Sequence, residues 1–408
     1  MEKKKIYIII LIIYLIIVFG SEMLYRNKVY DESVDIIEDI KQEGFFHRFS
    51  YFYSVIFLYG VIGIGFLISF LFYPITYSFC FLSVLFILTF IMSILKSLYS
   101  EQRPFWDIYL NNQGNSTEKI LPDPTECDGE FGNPSGHSLL TSVFLILWHQ
   151  FINSKYCKKL EPKKSTIIKC ISLIISIICM ASVAYSRINR QIHSINQVIF
   201  GLTLGFAVFF TFCYILELNI QSYEELIDNM QKYKFIVNII FFTLFIISII
   251  LGLTRHNDKE DEYKKILKLY CDLSEEESFA KITLYTSILI FIVIGGYFGL
   301  LFLDNKISKN HLNDRDQFFN WNKNGKLTTL QIFFFTFLSS FFFIINFFIP
   351  FKYYALKMII TLFTYFLFGF FFFGVCFYYG CILFIIRKKE KIDEISLLRN
   401  DENEKNDD

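Results

Sequence analysis

Three short segments of the chain hold residue types that could do chemistry together: Lys96-Ser-Leu-Tyr-Ser-Glu-Gln-Arg103-Pro104, Pro134-Ser135-Gly136-His137, and Ser186-Arg187 followed by His193. They supply three fixed cations, a serine and a glycine ahead of an apolar run, and two imidazoles. A phosphate ester carries about two negative charges near neutral pH, and a site working on it must answer with cations and N–H donors. One imidazole can then take the phosphoryl group while the other moves protons. The chemistry these residues would support is phosphate capture and transfer through a phosphohistidine.

The spacing sharpens the roles. Lys96 and Arg103 are seven residues apart, about two helical turns, so they share a face if the helix continues. Arg103 precedes Pro104, which favours an extended residue and a helix end there, with Lys96 roughly 10 Å deeper. A lysine near a membrane-helix end also snorkels for purely structural reasons. Ser135 is placed to cap the helix that follows, and the N–H groups of Gly136 and His137 would then form an anion seat at its N-terminus. Read blandly, Pro-Ser-Gly is loop-to-helix punctuation. Arg187 and His193 flank a short turn between two apolar runs. His193 suits in-line attack if its imidazole is neutral, a form nearby cations favour; His137 would protonate the leaving alkoxide and later activate water. A lone histidine at a membrane edge is otherwise a satisfied structural residue, the reading given to His149. Arg190 is read as a solvated loop charge, with contact to the phosphate as the alternative.

These residues sit in a chain built for lipid. Of 408 residues, 54% are hydrophobic, including 51 Phe and 25 Tyr, and the mean hydropathy is +0.43. The net charge of zero argues against nucleic acid as a partner. Nine cysteines fall singly with no C-x-x-C pair, which indicates neither a zinc site nor a disulfide scaffold. The first apolar run, about Ile6 to Gly20, follows Lys3-Lys4-Lys5; residues 1–22 read as a signal peptide, with a signal anchor as the alternative. Nine further stretches are each able to cross a bilayer, near 49–73, 75–98, 137–154, 167–186, 194–216, 235–254, 282–303, 329–348 and 355–386. The expected fold is therefore all-α, a polytopic membrane helical bundle. Basic connections at 155–169 and 304–328 and the stop Arg387-Lys388-Lys389 are expected in the cytosol, with the charged tail 387–408. The 255–281 connection, lysine-bearing on the outer side, runs against this pattern. The same topology puts the 99–136 loop and the 187–193 turn together on the non-cytoplasmic face. The sequon Asn115-Ser116-Thr117 falls in that loop, making Asn115 a candidate glycosylation site.

The order Lys-x6-Arg-Pro, Pro-Ser-Gly-His, Ser-Arg-x5-His resembles the type 2 phosphatidate phosphatase superfamily, which includes lipid phosphate phosphatases, glucose-6-phosphatases and vanadium haloperoxidases. The resemblance implies a membrane phosphatase domain over 23–386 with its motif core near 95–205. It implies no metal or other cofactor, and vanadate as a phosphate mimic. It assigns Lys96, Arg103, Ser135, Gly136 and Arg187 to phosphate binding, His193 as nucleophile and His137 as general acid. Most of that superfamily has Asp four residues after the nucleophilic histidine, where this chain has Gln197. Gln197 shares a helical face with His193 and is able to fix its tautomer, without a carboxylate's basicity. The stretch His193-Ser194-Ile195-Asn196-Gln197-Val198 is similar to the glucose-6-phosphatase branch, as are Gln102-Arg103-Pro104-Phe105-Trp106 and Cys127-Asp128-Gly129.

That resemblance implies glucose 6-phosphate as the favoured substrate, an endoplasmic reticulum membrane with a lumenal site, and a sugar-phosphate transporter as partner. Asp123, Glu126, Asp128 and Glu130 are then candidates for reading hydroxyls, against the plainer role of a solvated acidic loop, and Trp106 would stack on a sugar or anchor at the interface. A lipid phosphate or lipid pyrophosphate suits a site at headgroup level equally well. A catalytically silent scaffold or channel is the third reading, for which only Gln197 speaks. Cys127 and Cys271 would both lie on the oxidising side, as a pair or as two free thiols.

Overall fold

The structure is a computed structural model of the 408-residue chain, and it describes residues 2–40, 48–50, 52–53, 75–112, 129–153, 157, 160–217, 223–255, 257–271, 279, 283, 288–309 and 354–376. Its described residues form helices and connecting turns, with no strand among them. The helices are α1 (Glu2–Glu38), α2 (Ile75–Tyr99), α3 (Pro104–Asn112), α4 (Gly136–Phe151), α5 (Pro162–Asn189), α6 (Ile195–Glu217), α7 (Tyr223–Thr254), α8 (Glu260–Cys271), α9 (Ile290–Lys309) and α10 (Tyr354–Phe370), the last running into a π-helical turn Phe371–Cys376. Among the described residues, five helical stretches are long and apolar enough to cross a membrane, and Gly136–Ile146, Ile195–Ala207 and Ile290–Asn305 form shorter apolar helices. The expected span 329–348, and the expected span 49–73 apart from residues 49–50 and 52–53, lie outside the described residues. Rows of exposed isoleucines, such as Ile167, Ile171, Ile174 and Ile178 on α5, are what a helix presents to hydrocarbon.

The chain forms two compact units. The first contains α1, most of α2, α3 to α6, part of α7, and α8. Its core joins Val18 of α1, Leu88, Met92 and Leu95 of α2, Leu139 and Val143 of α4, and Phe200 and Leu204 of α6. Helices α4 and α6 meet through small residues. A Cβ on Gly201 would lie 2.5 Å from the Ser135 carbonyl oxygen, and one on Gly205 would lie 1.6 Å from Ser142 Oγ. This is the Gly-x-x-x-Gly device for close approach of membrane helices.

Helix α1 does not stop at Ser21 but runs on to Glu38. The Tyr14 hydroxyl donates to the Thr203 carbonyl oxygen of α6 at 2.6 Å, and Ser33 Oγ accepts from the Ile195 amide at 3.2 Å, serving one of the orphan donors at the start of α6. A second cluster packs Trp106 against Tyr263 and Phe279, with Phe105, Phe131 and Leu267 around them. Asp107 accepts from the hydroxyls of Tyr30 at 2.8 Å and Tyr263 at 2.6 Å, pinning α1, α3 and α8 together. Burial and the Asp107 carboxylate push the Tyr263 phenol above its ordinary range, so it stays a donor.

In the second unit, Gly295 and Gly299 of α9 admit the backbone of α10 at Phe366 and Phe370, and Phe79 meets Phe373 edge to face.

Candidate active site

The first motif is built around a helix break. Helix α2 ends at Tyr99 and Ser100 takes the left-handed conformation (φ 48°), returning its amide to the Lys96 carbonyl oxygen at 2.9 Å. This single bond closes the last turn of α2. Pro104 then opens α3 at its first helical position, where a missing N–H costs nothing. Lys96 and Arg103 therefore do not share a continuous helical face, as their spacing would allow. They stand on either side of a turn that brings both side chains inside: Lys96 is 3% exposed and Arg103 0%. The Lys96 ammonium pairs with the Glu130 carboxylate, and Arg103 Nε donates to the Glu130 backbone oxygen at 2.7 Å. Glu130 is thus a buried partner of the cations rather than a solvated loop charge.

The second motif enters α4. Ser135 occupies the N-cap position, but its side chain makes no capping bond; its Oγ instead accepts from Ser138 Oγ at 3.0 Å. The Ser135 amide donates to the Gln197 carbonyl oxygen at 3.0 Å, tying this motif to the third. Gly136 and His137 belong to the first turn of α4, where N–H groups lack intrahelical acceptors. Both are half-buried, while Ser135 is fully buried.

The third motif is the turn between α5 and α6. Gln191 is left-handed (φ 59°), with its amide on the Ile188 carbonyl oxygen at 2.9 Å, while the Ile192 amide reaches the Arg187 carbonyl oxygen at 3.3 Å. These two bonds make a Schellman ending with glutamine where glycine is usual. The His193 amide also donates to the Arg187 carbonyl oxygen at 3.3 Å, so Arg187 and His193 are held as one piece. Gln191 Nε2 donates to the Ile37 carbonyl oxygen at 3.1 Å, fastening the turn to α1. Arg190 is 4% exposed, which removes it from the solvated surface expected of it.

His193 is 2% exposed and fixed at both ring nitrogens. Nδ1 lies 3.1 Å from Gln197 Oε1, and Nε2 lies 3.5 Å from Arg103 Nη1. Gln197 Nε2 donates to Glu101 Oε1 and to the Gln102 carbonyl oxygen, both at 2.8 Å. Both of those partners are acceptors, which turns the amide oxygen toward His193. His193 Nδ1 therefore carries the proton, and the Nε2 lone pair faces the arginine. Burial first, then the charges of Arg103, Arg187 and Lys96, hold the His193 pKa well below its ordinary value of 6.5. The fields of Arg187, Lys96, Arg103 and Arg190 reach His137 as well. Gly132 sits against the Gln197 amide so closely that a Cβ there would be 2.5 Å from Oε1.

The structure thus gathers Lys96, Arg103, Ser135, Arg187, His193 and Gln197 in one buried region, with Gly136 and His137 at its less buried edge. Sequence reasoning missed four polar residues that join the motifs: Glu22, Glu101, Asn133 and Asn196. Asn133 Nδ2 donates to Glu22 Oε1 at 3.0 Å and Glu101 Oε2 at 2.9 Å, and Asn196 Nδ2 donates to Glu101 Oε1 at 2.9 Å. Glu101 lies inside the first motif and Asn196 beside Gln197, which is the signal that could have found them. Trp106 is fully buried against Tyr263 and Phe279 and is available neither to a sugar ring nor to the interface. His149 is the structural residue expected, with Nδ1 3.1 Å from Ser172 Oγ of α5. Asn115, Asp123, Glu126, Cys127 and Asp128 lie outside the described residues.

No curated protein and no solved structure matches the chain significantly. Residues 77–221, which contain all three motifs, match the family model described as PAP2 superfamily. The match supports a similarity to the PAP2 superfamily over the part of the chain that carries the motifs.

Proposed function

We propose that the protein is a membrane phosphomonoester hydrolase that works without metal, through a phosphohistidine, with glucose 6-phosphate as the favoured substrate. The observation that carries the reading is the setting of His193, with Nδ1 3.1 Å from Gln197 Oε1 and Nε2 3.5 Å from Arg103 Nη1, which assigns the proton to Nδ1 and turns the Nε2 lone pair toward the cations. A phosphate held by Lys96, Arg103, Arg187, Ser135 and the first amides of α4 would meet that lone pair. Nε2 attacks phosphorus, the ester P–O bond breaks, and the alkoxide takes a proton from His137. His137 then removes a proton from water, the water oxygen attacks phosphorus, the P–N bond breaks, and inorganic phosphate leaves. With the dianionic ester bound, the field of the cations on His137 is offset, so it can hold the proton it delivers.

The glucose-6-phosphatase branch is supported by the His-x-x-x-Gln-Val and Gln-Arg-Pro sequences and not by Trp106, which is buried. A lipid phosphate or pyrophosphate is the second reading, favoured by the placement of Lys96, Arg103 and Arg187 at the ends of apolar helices. In either case the site is proposed to face the non-cytoplasmic side, the endoplasmic reticulum lumen under the first reading. The test is phosphate release by purified protein with chelator present, offering glucose 6-phosphate, phosphatidate, sphingosine phosphate and a polyprenyl pyrophosphate, with His193→Ala as control. Release from the sugar phosphate alone, lost in the variant, is the expected result. Preference for a lipid selects the second reading, and no release from folded protein overturns both.

A further inference from the structure

We propose that Glu101 is a positioning residue that supplies carboxylate charge to His193 through the amide of Gln197, so that a Glu–Gln–His relay stands where most of the superfamily has a single Asp. The inference rests on the phosphohistidine chemistry proposed above and adds to it a residue that none of the three motifs assigns.

The geometry is continuous. His193 Nδ1–H donates to Gln197 Oε1 at 3.1 Å, and Gln197 Nε2–H donates to Glu101 Oε1 at 2.8 Å. An amide between a donor and an anion is polarised by both: negative charge on Glu101 pulls on the N–H and leaves more electron density on the oxygen that holds the imidazole. Phosphoryl transfer to Nε2 makes the ring cationic, so the charge relay is worth most as the P–N bond forms. Glutamine reaches farther than aspartate, and Glu101, on the turn after α2, fills the distance that remains.

The carboxylate is held for this purpose from several sides. Asn196 and Gln197 donate to Oε1, Asn133 donates to Oε2, and Arg26 of α1 lies 4.0 Å from Oε2. Each of these partners is a donor, so Glu101 acts only as acceptor. The second carboxylate nearby, Glu22, is turned to Asn133 at 3.0 Å. The Glu101 main chain is fixed as well, since the Gly132 amide donates to its carbonyl oxygen at 2.8 Å. The charges that act directly on His193 are those of Arg103, Arg187 and Lys96, all cationic, while its hydrogen bond to Gln197 works the other way. A relayed carboxylate is the counterweight that keeps so strongly electropositive a histidine nucleophilic.

The test compares wild type, Glu101→Gln, Gln197→Asp and the double variant, using whichever substrate of the four-substrate panel wild type turns over, with 15N NMR of histidine-labelled protein in detergent alongside. Glu101→Gln should lower kcat by about 10- to 100-fold with little change in KM. It should also move the acid limb of kcat/KM to lower pH, because an imidazolium that loses a nearby negative charge gives up its proton more readily. In the double variant, the aspartate introduced at position 197 can accept the Nδ1–H bond directly, with the amide introduced at position 101 as its donor. Most of the lost rate should then return. The NMR spectrum of ligand-free wild type should show His193 protonated at Nδ1 and bare at Nε2. Wild-type kcat and an unmoved pH profile in Glu101→Gln would overturn the relay, as would the opposite tautomer in wild type. A loss carried by KM, with no recovery in the double variant, would reduce Glu101 to a structural tie and also overturn it. Should wild type hydrolyse none of the substrates, the proposed function falls, while the tautomer and its response to Glu101→Gln still decide the relay.

Discussion

Lys96 spends its charge on Glu130, in an ion pair buried among the very cations assigned to phosphate. The carboxylate occupies the partner position that a phosphoryl oxygen would take, so ligand and Glu130 compete for one ammonium. Breaking a buried pair from one side leaves an uncompensated charge, costing about 3–5 kcal/mol. Glu130→Gln should therefore melt earlier than wild type in ligand-free detergent and gain more thermal stability from added vanadate. Equal shifts with vanadate in both proteins would show that Lys96 does not contact the anion.

His137 is expected to matter in proportion to how poor the leaving group is. His137→Ala should slow hydrolysis of an alkyl phosphate by about 100-fold or more. An aryl phosphate with an acidic leaving group needs no proton and should lose far less in the first step. Rapid-quench measurement of acid-labile phosphoenzyme checks this, since the variant should then accumulate phosphohistidine that waits for water.

The low pKa of His193 sets a pH window. Its neutral form is the proposed nucleophile, so the acid limb of kcat/KM should fall below the ordinary 6.5 of histidine, and Lys96→Met should move that limb upward while raising KM. Stability follows with its own sign. The unfolded chain binds a proton at the ordinary pKa while the folded site resists it, so the contribution is fully present above pH 6.5 and declines as pH drops toward the depressed value. Thermal melts across that range, with His193→Gln as the flattened control, read it directly.

Close approach of α4 and α6 at Gly205 predicts a specific rescue. Gly205→Ala puts a methyl 1.6 Å from Ser142 Oγ and 2.9 Å from the Leu139 carbonyl oxygen. The expected loss is about 1–3 kcal/mol, as for other overpacked interfaces. Adding Ser142→Ala removes the nearer clash and should restore part of the loss in melting temperature; no recovery would mean the carbonyl contact dominates.

Residues 2–22 continue without a break into the helix that supports the site, and Tyr14, Val18 and Glu22 each have partners in α4, α6 or the loop before α4. We expect the segment to be kept as an anchor rather than removed as a signal peptide. Intact mass of the purified protein checks it, and a mass short by about the first 20 residues would show cleavage.

The pieces of the site that are local in the chain were legible in advance. Residues in Pro134-Ser135-Gly136-His137 and in the His193 to Gln197 turn announce themselves because a helix start and an i,i+4 pair are set by near neighbours. The break after Tyr99 was not legible, because Ser100 takes a conformation usually signalled by glycine. The burial of Trp106 was hidden for another reason: its partners, Tyr263 and Phe279, arrive more than 150 residues later. Glu101, Asn133 and Asn196 share that difficulty. Their contacts span 32 and 95 residues, and no periodicity marks a hydrogen bond made across such distances. The helical class was secure, since apolar runs of this length have few other ways to satisfy their backbone in lipid.

The bond from Tyr14 to Thr203 joins residues 189 positions apart, and Glu22 waits 111 positions for Asn133. On a ribosome adding about 5–20 residues per second, the first helix would spend on the order of 10–40 s in the bilayer before α6 exists. For about the first 6–22 s of that interval Glu22 lacks Asn133, its partner 111 positions on. The nascent chain therefore needs a temporary host for one carboxylate until Asn133 arrives, so release from that host precedes closure of the candidate site by α6.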